Sequence, residues 1–297
     1  MKLQIGLGTY VVAVSGGVDS MVLLDMLAKQ QTSGVKLIVA HLDHGIRHDS
    51  VLDRQIVQAV AKKHGLPFVC HEGRLGPDAS EDTARKARYE FLHHVRTASG
   101  AQAVLTAHHH DDVLETAVIN VLRGTNRKGL SALASSATVH RPLLHVPKSH
   151  LQKYAQDQGL VWRDDSTNTD TKYLRNHVRR NVLPKLSSGQ KAELIDVIRS
   201  AGRINKELDL QLLNYLHMQP GLNKLSRREF MRLPHAVARE VMAAWLRRHG
   251  VRDFDQKTLE RLVIAAKTFA PGKRIDVLKG HQLQLTKDYL ALILADR

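Results

Sequence analysis

Over the first 123 residues, short apolar runs alternate with amphipathic stretches. The run Tyr10–Val14 reads as a buried strand, and Val35–His41, Pro67–His71 and Ala103–Ala107 as further strands. Residues 19–30, 50–64, 80–98 and 112–123 carry helical spacing, as where Leu52, Ile56 and Val60 recur every fourth position. Asp78, with Glu81 three residues on, gives the third of these helices a capping-box-like start. Strand–helix units in this order predict an α/β fold, a doubly wound parallel sheet covered on both faces. Such sheets bind ligands at the carboxyl ends of their strands. The chemistry is therefore expected in the loops after residues 14, 41 and 107.

The pattern loosens from Gly124 to Asn168. It contains one helix opened by Pro147, running to Gln158 and closed by Gly159, and a polar, turn-rich run over 164–170. Residues 174–217 are mostly helical in spacing, with a break near Pro184 to Gly189. A second unit starts near Gln219-Pro220-Gly221, with helices over 234–249 and 255–267 and alternating positions over 273–278 and 282–294. The expected organisation is an α/β domain with a helical linker over 1–217 and a small α+β domain over 218–297.

Charge changes this picture more than composition does. The chain carries 44 Lys+Arg against 29 Asp+Glu, a net charge of +15. Residues 1–170 hold 19 basic and 17 acidic side chains, whereas residues 171–297 hold 25 and 12. A neutral first half and a basic second half fit a polyanion held mainly by the second; the alternative is a solvated basic surface. No run approaches the ~18 apolar residues of a membrane span. The one cysteine, Cys70, leaves no internal disulfide, no CxxC metal site and no two-cysteine sulfur relay.

Ser15-Gly16-Gly17-Val18-Asp19-Ser20 stands between an apolar strand and a helix. Two glycines let backbone amides approach an anion, the helix N-terminus adds partial positive charge, and Asp19 could hold magnesium on phosphates. Gly124–Ser131 nearly spells a Walker A loop, but Leu130 takes the place of its lysine. His41–Arg47 ends the second strand; its Asp43 suits a metal, an amine or a turn. His108-His109-His110-Asp111-Asp112, with Glu115 and Thr116, reads either as a transition-metal cluster of a phosphohydrolase or as a magnesium or substrate site at a helix start. Arg85 and Arg88 share one helix face beside Tyr89 and can clamp phosphates or stay solvated. Asp165–Asn168, Asp170, Tyr173, Arg175, Asn176, Arg179 and Arg180 offer a ring for base stacking and phosphate contacts, or a plain basic surface.

In this order, with Arg141-Pro142-Leu143-Leu144, these segments resemble the tRNA(Ile)-lysidine synthetases of the N-type ATP pyrophosphatase superfamily, over most of residues 10–186. Val113 departs from the family's usual glutamine and Thr167 from its serine. The resemblance implies a fold of the adenine nucleotide alpha hydrolase type. It implies ATP and magnesium as cofactors, free L-lysine and a CAU-anticodon tRNA(Ile) as partners, a cytoplasmic setting, and leaves a homodimer open. In that chemistry ATP adenylates the C2 oxygen of the wobble cytidine, releasing pyrophosphate, and the lysine amine then attacks C2 and displaces AMP. Ser15, Gly16, Gly17, Val18, Asp19 and Ser20 would hold the nucleotide. Asp19, Asp43 and Asp112 would hold magnesium. Asp43, Asp112, Arg88 and Arg175 would serve catalysis, and residues 218–297 would bind tRNA.

Overall fold

The computed structural model describes residues 3–30, 32–45, 50–73, 75–76, 79–125, 127–163, 174–251, 254–278 and 280–295. Its contacts divide the chain into residues 1–201 and 202–297.

The first unit alternates β1 (Gly8–Ala13), α1 (Val18–Lys29), β2 (Val35–Asp43), α2 (Ser50–Lys63), β3 (Phe68–Glu72), α3 (Glu81–Ala98), β4 (Ala103–Leu105) and α4 (His110–Leu122). A short α5 (Arg127–Leu130), β5 (Val139–His140), α6 (Lys148–Asp157) and α7 (Leu174–His177) follow. A π turn over Val178–Val182 and a 3-10 turn over Leu183–Lys185 lead into α8 (Ser188–His217), inside which the division into units falls. The sheet order is β3-β2-β1-β4-β5, and every pairing is parallel. β5 extends the sheet beyond the expected strands: at two residues it is too short to show a period. The third helix is capped by Ser80, whose side chain accepts from the Thr83 N–H, in place of the expected Asp78–Glu81 box; Asp78 lies outside the described residues.

Val12, Val39, Ala103 and Leu105 are fully buried in the central strands, and Val22, Leu23 and Leu24 pack α1 onto the sheet. Burial on both faces explains why these strands read as unbroken apolar runs. α6 lies against α1 in a constant register. The Lys148 ammonium donates to both Asp19 oxygens at 2.6 and 2.6 Å. The Tyr154 hydroxyl donates to Asp25 Oδ2 at 2.8 Å, and Lys29 Nζ to Gln158 Oε1 at 2.6 Å. Each pair is 129 residues apart. The two helices therefore run parallel, with their N-termini at the same end. Burial, together with the neighbouring Asp25 carboxylate, pushes the Tyr154 phenol up to about 12.

The second unit contains β6 (Lys224–Ser226), α9 (Arg227–Arg232), α10 (His235–Arg248), α11 (Gln256–Thr268), β7 (Arg274–Asp276), β8 (His281–Leu285) and β9 (Tyr289–Leu294). Its antiparallel sheet has the order β6-β9-β8-β7. Trp245, Phe230, Met242 and Leu285 lie in its core. The Arg227 guanidinium is buried there and donates to the carbonyls of Ala266, Thr286 and Phe269. Among the described residues of the chain, no helix is long and apolar enough to cross a membrane.

Candidate active site

The strand order reverses at β1. The chain steps from β1 to β2 to β3, then returns to place β4 on the other side of β1. At such a switch point the loops after the two strands part and leave a crevice. A cleft of about 220 Å³ lies there. Ser15 and Gly17 line it from the loop after β1, Asp19 and Ser20 from the start of α1, Thr106, Ala107 and His108 from the loop after β4, and Asp112 from α4. Leu42 from β2, His44 just after it, and Arg88, Tyr89 and Leu92 from α3 complete the wall.

The first loop braces itself. Ser20 Oγ donates to the Gly17 carbonyl at 2.9 Å and accepts from the Ser15 N–H at 3.2 Å. Its hydroxyl thus serves the loop, and the first amides of α1, which have no intrahelical partner, are left to meet an anion. Gly16 has φ +96°, and a Cβ there would lie 3.1 Å from Asp53 Cβ. Asp53 is buried and its Oδ1 lies 3.6 Å from Arg163 Nε, while the Arg163 N–H donates to the Gly16 carbonyl at 3.1 Å. Gly16→Ala is expected to strain this loop by about 1–3 kcal/mol. Pyrophosphate affinity, read by titration calorimetry, should fall about tenfold.

Opposite, α4 gathers its charges at its N-terminus. Asp112 Oδ2 accepts from the His109 N–H at 2.9 Å, and Asp111 Oδ2 from the Lys148 N–H at 2.8 Å. The buried His109 imidazole ties the loops together: its Nε2 lies 3.7 Å from Asp19 Oδ2 and 3.5 Å from Asp112 Oδ2. Behind it, Glu115 is 1% exposed and is gripped by Arg179 through bonds of 2.6 and 2.9 Å. Burial raises the Glu115 carboxyl above the usual range, against the pull of Arg179.

Arg88 is the cation on the cleft wall, and further arginines act on His108 through their charge. Burial, then the charges of Arg141, Arg88, Arg85 and Arg175, pushes the His108 imidazole from 6.5 down to about 3. His108 is therefore a neutral hydrogen-bonding group, held by Thr106 Oγ1 at 2.9 Å. A nuclear magnetic resonance titration should show no His108 protonation between pH 5 and 9. The unfolded chain takes up that proton near 6.5, so this group lowers stability as pH falls from 6.5 towards 3 and has no effect above 6.5. The Arg85 guanidinium lies 4.9 Å from the Tyr89 ring centroid, and among the described residues the buried Tyr89 hydroxyl has no hydrogen-bond partner.

The structure brings Ser15, Gly17, Asp19, Ser20, Arg88 and Asp112 to one cleft. Gly16 shapes its floor, and the Val18 side chain goes into the core. Asp43 stands at the end of β2, between the lining residues Leu42 and His44, and its Oδ1 accepts from the Gly45 N–H at 2.9 Å. Arg175 reaches α4, donating to Thr116 Oγ1 at 3.3 Å, with its Nε 3.8 Å from Glu115 Oε2. Ile46, Arg47, Asp165, Ser166, Thr167, Asn168, Asp170 and Tyr173 lie outside the described residues. Among the described residues, no group of three or more His, Cys, Asp or Glu could hold a metal ion. Asp19 and Asp112, two carboxylates beside one imidazole, suit a hard cation that keeps waters and shares phosphate oxygens. Lys148 escaped the sequence reading. Its one local signal is a cation at the start of a helix, where the dipole disfavours it.

The PP-loop domain family matches residues 4–186. The chain is 34% identical over 271 residues to the tRNA(Ile)-lysidine synthase of Methylococcus capsulatus, covering 86% of this chain and 61% of that one. It is 32% identical over 291 residues to that of Exiguobacterium sibiricum, covering 95% and 68%. The chain thus spans about 60% of the length of the first such relatives. Among solved structures, a U34-tRNA thiolase from Methanococcus maripaludis, with a 4Fe–4S cluster, aligns with a TM-score of 0.57 at 18% identity, covering 67% of this chain and 73% of that one. That likeness is one of fold.

Proposed function

Because the chain belongs to the tRNA(Ile)-lysidine synthase family of PP-loop proteins, we propose that it joins free L-lysine to the wobble cytidine of a CAU-anticodon tRNA(Ile). The observation that carries this reading is the switch-point cleft. There the Ser15–Ser20 segment, with its Asp19, faces Asp112 across the cleft, and Arg88 stands on the wall. In the first step the C2 oxygen of the cytidine attacks the α-phosphorus of ATP, and pyrophosphate leaves. In the second a lysine amine attacks C2, AMP leaves with the oxygen, and one amine proton is lost.

The amides at the start of α1 and the Ser15 hydroxyl bind the phosphates. Asp19 and Asp112 would hold magnesium, which offsets the charge that grows on the leaving pyrophosphate. Arg88, on the cleft wall, faces the adenylate's phosphate or the tRNA backbone. Asp112 rather than Asp43 orients the lysine ammonium and takes its proton: each accepts one local backbone bond, but Asp112 is the one that lines the cleft. Arg175 and Arg179 hold Glu115 and, with it, the start of α4. The net charge of +13 over residues 171–297 supports a role for that region in holding tRNA, with affinity falling steeply as salt rises.

The test uses purified protein, labelled lysine, ATP, magnesium and unmodified tRNA transcripts. ATP-dependent label in tRNA(Ile) with a CAU anticodon, and none in a CAU methionine tRNA, is the expected result. ATP–pyrophosphate exchange with another acceptor would keep the adenylation and discard the lysine transfer.

A further inference from the structure

Lys148 is held in a place that its own helix disfavours. It is the first residue of α6, where the positive end of the dipole repels a cation. Its ammonium is nonetheless fixed, donating to both oxygens of Asp19 at 2.6 and 2.6 Å. Asp19 lines the phosphate cleft, and Lys148 stands beside it with its side chain 32% exposed. The parallel register of α1 and α6 sets their two N-termini side by side, so both dipoles favour an anion at this end of the pair. The Lys148 N–H is turned to Asp111 of α4, which ties this corner to the opposite wall of the cleft.

The arrangement contains an exchange. With the ammonium on both oxygens, Asp19 is engaged. A divalent ion that takes Asp19 displaces the ammonium, which is then left at two helix N-termini that favour negative charge. The anion at hand is the phosphate chain, and an ammonium binds phosphate oxygens strongly. We propose that Lys148 is a further substrate-contacting residue, released from Asp19 by the divalent ion and transferred to the pyrophosphate portion of ATP. Asp19 and Lys148 thereby act as an exchangeable pair. The ammonium guards the carboxylate before the metal nucleotide arrives and carries the departing pyrophosphate afterwards. This rests on the ATP-dependent reading above and adds a role to its site.

The exchange predicts effects of opposite sign. In the full-length Lys148→Met protein, manganese alone, followed by electron paramagnetic resonance of the free ion, should bind about threefold to tenfold tighter, because no ammonium competes for Asp19. Pyrophosphate in the presence of manganese, followed by calorimetry, should bind about tenfold weaker or more. Lys148→Arg should restore most of the pyrophosphate affinity. Unchanged or weaker manganese binding by Lys148→Met would overturn the exchange, as would unchanged pyrophosphate binding. Loss of both affinities, with Lys148→Arg equally impaired, would mark Lys148 as purely structural and overturn it too. Failure of the underlying reading looks different: the unmodified protein would transfer no lysine label, whatever these titrations show.

Discussion

Asp112→Asn is expected to lower lysine transfer to tRNA by roughly a hundredfold to ten-thousandfold, the range of a lost general base or charge stabiliser. The substitution is close to a pure removal of charge. Asp112 Oδ2 caps α4 by accepting from the His109 N–H, and an asparagine oxygen can accept the same bond. The helix start should survive, with the melting temperature within a few degrees of the parent. What is lost is a negative charge in the cleft, beside His109 and 3.6 Å from Arg179. Binding of tRNA, read by filter retention, should change little, because the basic surface is untouched. Normal label incorporation by Asp112→Asn would remove Asp112 from the chemistry. Asp43→Asn is the companion variant. The Gly45 turn keeps its acceptor there, and its carboxylate is not among those lining the cleft, so a loss below about tenfold is expected. A larger loss for Asp43→Asn than for Asp112→Asn would reverse the roles assigned to the two carboxylates.

The second large effect concerns stability. Arg227→Ala should destabilise the 202–297 unit by about 3 kcal/mol or more. One guanidinium serves the carbonyls of Ala266, Thr286 and Phe269, joining the end of α11 to the β8–β9 turn. Removing it leaves the buried Ala266 acceptor and the part-buried Thr286 and Phe269 acceptors without their shared donor, and empties the space that the buried guanidinium fills. For a unit of this size the unfolding midpoint should fall by roughly 10 °C or more. Hydrogen exchange should locate the loss in β8, β9 and α11, with the PP-loop sheet keeping its protection. Arg227→Lys should recover only part, since an ammonium lacks the planar fork that meets several carbonyls at once. An unchanged midpoint for Arg227→Ala would show that the carbonyls find other donors.

The features legible in the sequence were those built from neighbours along the chain. The Ser15–Ser20 loop is contiguous, so its glycines, its serines and its position before a helix could be read directly. The central strands were legible because burial on both faces leaves them mostly apolar, as in Tyr10–Ala13 and Leu37–Ala40. In the second unit the signal was alternation instead: the positions over 273–278 and 282–294 marked the ground of β7, β8 and β9. Features that depend on distant partners stayed hidden. β5 is defined by its pairing with β4, not by any pattern in Val139–His140. β6 and α9 occupy the stretch just before the helix that the apolar spacing revealed. Asp53 gave no sign of its place under Gly16, since α2 reads as an ordinary amphipathic helix. Asp43 presented the same residues whether it were a ligand or a turn former, and only the Gly45 bond shows the turn. Asp19 was noted for its loop, yet its ammonium partner comes from the far side of the sheet's connections.

The equal separation of the three α1–α6 pairs has a consequence for how such a chain can vary. A loop between the elements that separate the two helices can gain or lose a residue without disturbing these pairs, since that changes only the numbers, all three together. A residue gained or lost inside either helix between its first and last contacts is another matter. It turns everything beyond it by about 100° and shifts it by about 1.5 Å, so that Lys148 and Tyr154 can no longer both face their partners. The pair of helices behaves like two gears cut to one pitch: loops elsewhere leave the teeth in step, but a single extra tooth disengages the cleft end from the other.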